Sequence, residues 1–127
     1  SQTVRLSSLR GKVVLLEFMV SWCRNCQAMV PSIAYVSEKY KGQDVVVISV
    51  AATLGGATAE STAKFIREHG ATWTHLLDQD NSVFPKYGVE ATPTYFIIDR
   101  SGKIVNTQEG VISTQVLSSA LDNALSI

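Results

Sequence analysis

The chain of 127 residues holds two cysteines, two histidines and three prolines, and its eleven Lys and Arg are balanced by eleven Asp and Glu. Two cysteines cannot build the multiple-disulfide framework that stabilises small secreted domains, so their value lies in their own chemistry or in none. With no net charge and no basic block, nothing in the chain suits a phosphate backbone or an anionic membrane surface, and no nucleic-acid partner is expected. The longest apolar run, Val13–Leu16, falls far short of the ~20 residues of a membrane span. Residues 1–11 are polar, lack the charged, apolar and small-residue order of a signal peptide, and run into the first apolar segment. Ser1 in place of Met fits a processed chain, with a signal peptide or membrane anchor upstream kept as an option. Repeats, linkers and low-complexity tracts are also missing, so residues 1–127 are expected to form a single domain.

What is present is periodic. Val13–Phe18 is an apolar, β-branched run broken only by Glu17, and it reads as a strand buried on both faces. After Trp22-Cys23-Arg24-Asn25-Cys26, the residues Met29, Ile33, Val36 and Tyr40 recur at helical spacing up to Gly42, and Pro31 within the pattern predicts a kink. Val45–Val50 is a second buried strand, which the intervening helix makes parallel to the first through a right-handed crossover. A loop with Gly55-Gly56 leads to a short helix over about residues 60–69 closed by Gly70, then a strand around residues 73–77. Asp78–Asn81 offers caps for a further helical stretch ending at Tyr87-Gly88. Thr94–Ile98 and Ile104–Gln108 flank a hairpin turn with Gly102, and Val116, Leu117, Ala120, Leu121 and Ala124 stripe a C-terminal helix that Ser113 can cap. Strands alternating with helices place the chain in the α/β class.

The cysteines are spaced C-x-x-C at the start of the first helix, which puts them on one face and close enough to bond reversibly. Cys23 meets the free N–H groups and positive end of the helix, which favours its thiolate. Cys26, one turn in, is shielded and keeps its proton until needed as the resolving thiol. Arg24 adds positive charge beside the thiolate and is expected to make the protein somewhat more oxidising. A lone C-x-x-C is also half of a zinc site. The only histidines, His69 and His75, lie far downstream at no zinc-ribbon spacing, read as solvated or packing residues, and no metal or cofactor is expected.

With these motifs placed, the chain resembles the thioredoxin superfamily over nearly its full length, and within it the extracytoplasmic branch of TlpA-, ResA- and CcmG-type thiol–disulfide oxidoreductases. The carriers are the Gly-Lys-Val-Val-Leu-Leu-Glu-Phe segment from Gly11, Trp22-Cys23-x-x-Cys26, Pro31, Leu77-Asp78, and the stretch from Val89 through Thr92-Pro93 to Asp99 with Gly102. The resemblance implies a central mixed sheet of about five strands flanked by helices, with a helix and strand inserted after the second strand. It also implies that Pro93 is the family's cis-proline facing the cysteines, and that the Thr92 backbone pairs with an extended substrate segment. By the same resemblance Trp22 packs over the cysteine pair as part of a binding surface that includes Arg24 and Asn25, with a purely structural tryptophan as the alternative. Glu17 falls where thioredoxins bury a carboxylate beneath the second cysteine, so desolvation raises its pKa and fits it as the base for Cys26, against the alternative of a strand residue reaching solvent.

The expected function is therefore disulfide exchange with protein substrates, more as a reductase than an oxidant. The chain is read as an extracytoplasmic monomer fed by an upstream electron-donor protein, with the cytoplasm as the alternative. Cytochrome c maturation is one setting, although Ala51-Ala52 stands where ResA-type relatives often carry an acidic residue. A peroxiredoxin-like peroxidase would need Pro and Thr or Ser just upstream of its cysteine, which Val20-Ser21-Trp22 does not supply. A copper-delivery module on the same fold is the reading from another class; Sco-like carriers use C-x-x-x-C with a histidine, one residue more than here.

Overall fold

The computed structural model describes residues 3–127, so Ser1 and Gln2 of the polar opening lie outside the described residues. A short 3-10 turn, Leu6–Leu9, precedes the elements β1 (Val13–Met19), α1 (Arg24–Lys39), β2 (Val45–Ala52), α2 (Ala59–His69) and β3 (Thr74–Asp78). Then come α3 (Val83–Lys86), β4 (Thr94–Ile98), β5 (Ile104–Glu109) and α4 (Thr114–Leu125). The strands form one five-stranded sheet in the order β3-β2-β1-β4-β5. The first three strands run parallel, joined by the long helical crossovers that parallel neighbours need, and β4 and β5 are antiparallel additions at the other side. This is the mixed thioredoxin-like sheet, with α2 and β3 as the inserted pair.

β1 is buried along its whole length because it occupies the centre of the sheet. β2 departs from the expectation of a fully buried strand: Val45, Val46 and Val47 are only half-buried, and burial begins at Ile48. Side chains alternate across a strand, and the two faces of β1 therefore see different partners. Phe18 meets Phe84 of α3 with ring centroids 4.9 Å apart and Phe96 of β4 at 5.6 Å. Glu17, one residue earlier, points to the opposite face, where α1 and α4 pack together through the Tyr40 hydroxyl, which donates to the Ser118 carbonyl (3.0 Å) and to Asp122 (2.7 Å).

α1 presents Cys26, Met29, Ile33 and Val36 to the core at intervals of three and four residues, and it continues through Pro31. The helix forgoes the hydrogen bond that Pro31 cannot donate, a loss of up to ~3 kcal/mol offset by the burial of side chains worth ~1.5–3 kcal/mol each. α2 begins at a capping box between Thr58 and Ser61 and ends on Gly70 at φ 64°, a left-handed conformation that glycine adopts without the Cβ clash of other residues. The caps of the short α3 come from Asp78 at the end of β3: Oδ1 accepts from the Ser82 N–H, and Oδ2 from those of Val83 and Phe84. Ser113 caps α4 by accepting from the Val116 N–H.

Candidate active site

Cys23 is the N-cap of α1, its sulfur accepting the Cys26 N–H at 3.2 Å. The helix thus offers an orphan amide donor to the first cysteine, as its place at a helix start predicts. Both cysteines are in the dithiol state and lie in the buried class, but Cys23 retains 6% of its surface against 1% for Cys26, which leaves the first sulfur nearer the solvent. As a thiol, Cys23 also donates to the Thr92 carbonyl at 3.5 Å. The Thr92-Pro93 bond is cis, and the Thr92 carbonyl before it faces Cys23. Burial, reinforced by donation of the Cys26 thiol to Cys23, raises the Cys26 pKa far above the ordinary thiol range.

Glu17 is 4% exposed in the central strand, which removes the alternative of an edge residue reaching water. Strand register sets Ser49 of β2 and Tyr95 of β4 directly beside it, one on each side. The Ser49 hydroxyl donates to Oε1 at 2.5 Å, the Tyr95 hydroxyl donates to Oε2 at 3.0 Å, and the Trp73 indole N–H donates to the Ser49 oxygen at 2.8 Å. Desolvation outweighs the two hydrogen bonds that favour the carboxylate, and the Glu17 pKa is pushed up to about 7. Glu17 also acts electrostatically on Cys26, and its carboxylate holds back the ionisation of the second thiol. Ser49, Trp73 and Tyr95 were not singled out from the sequence; a polar residue at Ser49 inside an apolar strand was the available signal.

Trp22 is 57% exposed, and its ring is held by the loop after β2: the indole N–H donates to the Leu54 carbonyl at 2.9 Å. A Cβ on Gly55 would come within 3.0 Å of the ring, so only glycine lets the loop lie this close. A groove of about 390 Å³ opens beside Trp22, with Gln27 of α1 and Ser61 and Phe65 of α2 in its walls. Arg24 and Asn25 are exposed on the first turn of α1, and neither makes a side-chain hydrogen bond or ion pair among the described residues. The structure therefore brings Cys23, Cys26, Thr92 and Pro93 together, sets Glu17 below, and leaves Trp22, Arg24 and Asn25 on the rim. His69 is exposed against Phe65, and His75 stacks on Trp73 with its Nδ1 against the Trp73 carbonyl (2.8 Å). Among the described residues no three His, Cys, Asp or Glu side chains gather as a metal site would require.

Known proteins resemble this chain in sequence and fold. The thiol-disulfide oxidoreductase ResA of Bacillus subtilis (strain 168) is 30% identical over 114 residues, which are 90% of this chain and 62% of that protein. The chain thus spans less than two thirds of the length of this relative. A thiol-disulfide isomerase from Corynebacterium glutamicum superposes with a TM-score of 0.88 at 28% identity, covering 100% of this chain and 89% of that one. The exposed lipoprotein thioredoxin Etrx1 of Streptococcus pneumoniae strain TIGR4 gives a TM-score of 0.84 at 29% identity, over 96% and 92% of the two chains. The sequence matches the Redoxin family from residue 1 to residue 125, and the chain belongs to that family.

Proposed function

We propose that this chain is a thiol–disulfide oxidoreductase that exchanges the Cys23–Cys26 dithiol and disulfide with protein substrates, and that it works as a reductase. The observation that carries this reading is the asymmetry of the pair: Cys23 sits at the helix N-cap nearer the solvent, while Cys26 is sealed, kept protonated by burial, and placed over a carboxylate. Cys23 thiolate attacks a substrate disulfide, forming a mixed disulfide and releasing one substrate thiolate. Cys26 gives its proton to Glu17, attacks the Cys23 sulfur, and displaces the second substrate thiolate as the Cys23–Cys26 bond forms. No direct hydrogen bond joins Cys26 to Glu17 in this state, so the proton passes by rotation of the thiol or through one water. A base below Cys26 serves the resolving step of substrate reduction and, as the acid Glu17–H, its reverse, so the reductive direction rests on the resemblance.

Trp22, Arg24, Asn25 and the Thr92 backbone form the rim that a substrate meets, with the residues acting as one monomeric domain. An upstream electron-donor protein regenerates the dithiol. The name of the pneumococcal relative, an exposed lipoprotein, supports an extracytoplasmic setting, and no helix among the described residues is long and apolar enough to cross a membrane. Disulfide reduction outside the cytoplasm, including that of cytochrome c maturation, is the function that the resemblance and the ResA relative support.

The decisive experiment is Cys26→Ser. With the resolving thiol removed, Cys23 is expected to accumulate a stable mixed disulfide with an oxidised protein substrate, visible by intact mass and reversed by dithiothreitol. Absence of any adduct while the wild type reduces the same substrate would refute the assigned roles.

A further inference from the structure

Glu17 does not stand alone beneath the cysteines. Parallel pairing of β1 with β2 and antiparallel pairing of β1 with β4 set Ser49, Glu17 and Tyr95 in one row across three strands, all on the face covered by α1. Each carboxylate oxygen then has one hydroxyl donor, Ser49 on Oε1 and Tyr95 on Oε2. The polarity of the row is set from its end. An indole N–H can only donate, so Trp73 obliges the Ser49 oxygen to accept and turns its single proton toward Glu17.

We infer that Ser49, locked by Trp73, and Tyr95 are positioning residues that hold Glu17 as a proton acceptor for Cys26. The inference rests on the proposal that Glu17 is the base, and it adds what makes a buried carboxyl usable as one. Burial by itself would keep Glu17 protonated, and a protonated acid cannot take the Cys26 proton. Two donors aimed at the two oxygens offset part of that burial, and both favour the ionised form. The two sides differ. Ser49 is held by a donor behind it, whereas the Tyr95 oxygen accepts no hydrogen bond among the described residues and has a lone pair free to accept from Glu17 when the carboxyl becomes an acid. Tyr95 is thus the member that gives way as the proton arrives, which keeps the phenol itself neutral; its burial and the nearby carboxylate raise its pKa far above the ordinary range. The titratable groups that face this centre are Cys23 and Cys26 at the start of α1, Tyr95 from β4, and His75 of β3, which pairs with Ser49 in the same row, stacks on Trp73 and has its pKa lowered by burial; β2 contributes only a hydroxyl.

The test separates the two thiol steps with a chromogenic aryl disulfide in stopped flow. The first aryl thiolate reports attack by Cys23; the second reports resolution by Cys26, in which Glu17 takes the Cys26 proton and the Cys23–Cys26 bond replaces the bond from Cys23 to the aryl sulfur. The wild-type second phase is expected to follow a pH midpoint near the Glu17 value of about 7. Tyr95→Phe, which removes one oxygen and keeps the ring, should move that midpoint to higher pH by about one unit, slowing resolution at neutral pH about fivefold with the loss concentrated below the new midpoint. Trp73→Phe, which unlocks Ser49 while sparing its hydroxyl, should move it in the same direction. Glu17→Gln should abolish the midpoint.

If Glu17→Gln abolishes the midpoint but Tyr95→Phe and Trp73→Phe leave it in place, the positioning inference falls and the base remains. If Glu17→Gln leaves the midpoint in place, the base itself falls and the inference with it. A Tyr95→Phe variant that is less stable but has an unmoved midpoint would also overturn the inference, because Tyr95 would then be packing alone.

Discussion

Replacing Glu17 by Gln keeps the shape of the buried row: the amide oxygen still accepts from Ser49, and the amide NH2 can donate to the Tyr95 oxygen. Only the charge is removed, and its cost can be worked out. Folding raises this carboxyl from 4.5 to about 7, so between those values the native state holds a proton that the unfolded chain has released. The stability that Glu17 allows below pH 4.5 is therefore lost progressively as pH rises through 7 and is level above it. At about 1.4 kcal/mol per pH unit, the loss amounts to about 3 kcal/mol, of which about 2.5 kcal/mol falls between about pH 5 and about pH 8. The Gln variant has no such term and should be more stable than the wild type at the alkaline end. Urea denaturation of both proteins at the two pH values, with the cysteines kept reduced, gives the gap directly, and contributions from other groups cancel in the comparison. A gap that changes by less than about 1 kcal/mol between the two pH values would refute the perturbed carboxyl and remove the basis for Glu17 as a base near neutral pH.

Gly55→Ala puts a Cβ within 3.0 Å of the Trp22 ring at a backbone φ of 59°. It should dislodge the indole from Leu54, shift its fluorescence and raise the KM for a protein disulfide severalfold with little change in kcat; a shifted emission with an unchanged KM would show that Trp22 does not contact substrate. Asp78→Ala deprives the N–H groups of Val83 and Phe84 of their acceptor, leaves that of Ser82 to Asp80 alone, and should cost about 2 kcal/mol in urea denaturation. A cost under about 0.5 kcal/mol would mean that water replaces the carboxylate at the start of α3.

The cysteine motif was legible in the sequence because its meaning is local. A C-x-x-C between an apolar strand and a helical stripe puts one sulfur at a helix start and the other a turn inside, whatever the rest of the chain does. The strands, the inserted α2 and β3, and the hairpin at Gly102 were equally local, set by apolar period and turn residues. The half-buried start of β2 was not, since Val45–Val47 reads as any buried strand does and exposure depends on what covers it.

Around Glu17 the local pattern of residues says only that a carboxylate interrupts an apolar strand six residues before Cys23. That Ser49, 32 residues later, and Tyr95, 78 residues later, supply its hydrogen bonds is a matter of register between strands. A slip of one residue in either pairing would turn these hydroxyls to the other face. The docking of Trp22 on Leu54 and Gly55 likewise joins segments with no shared pattern. Disulfide chemistry was thus written in adjacent residues, whereas the environment of its base was decided by tertiary structure, because hydrogen bonds between distant strands exist only once the sheet has closed.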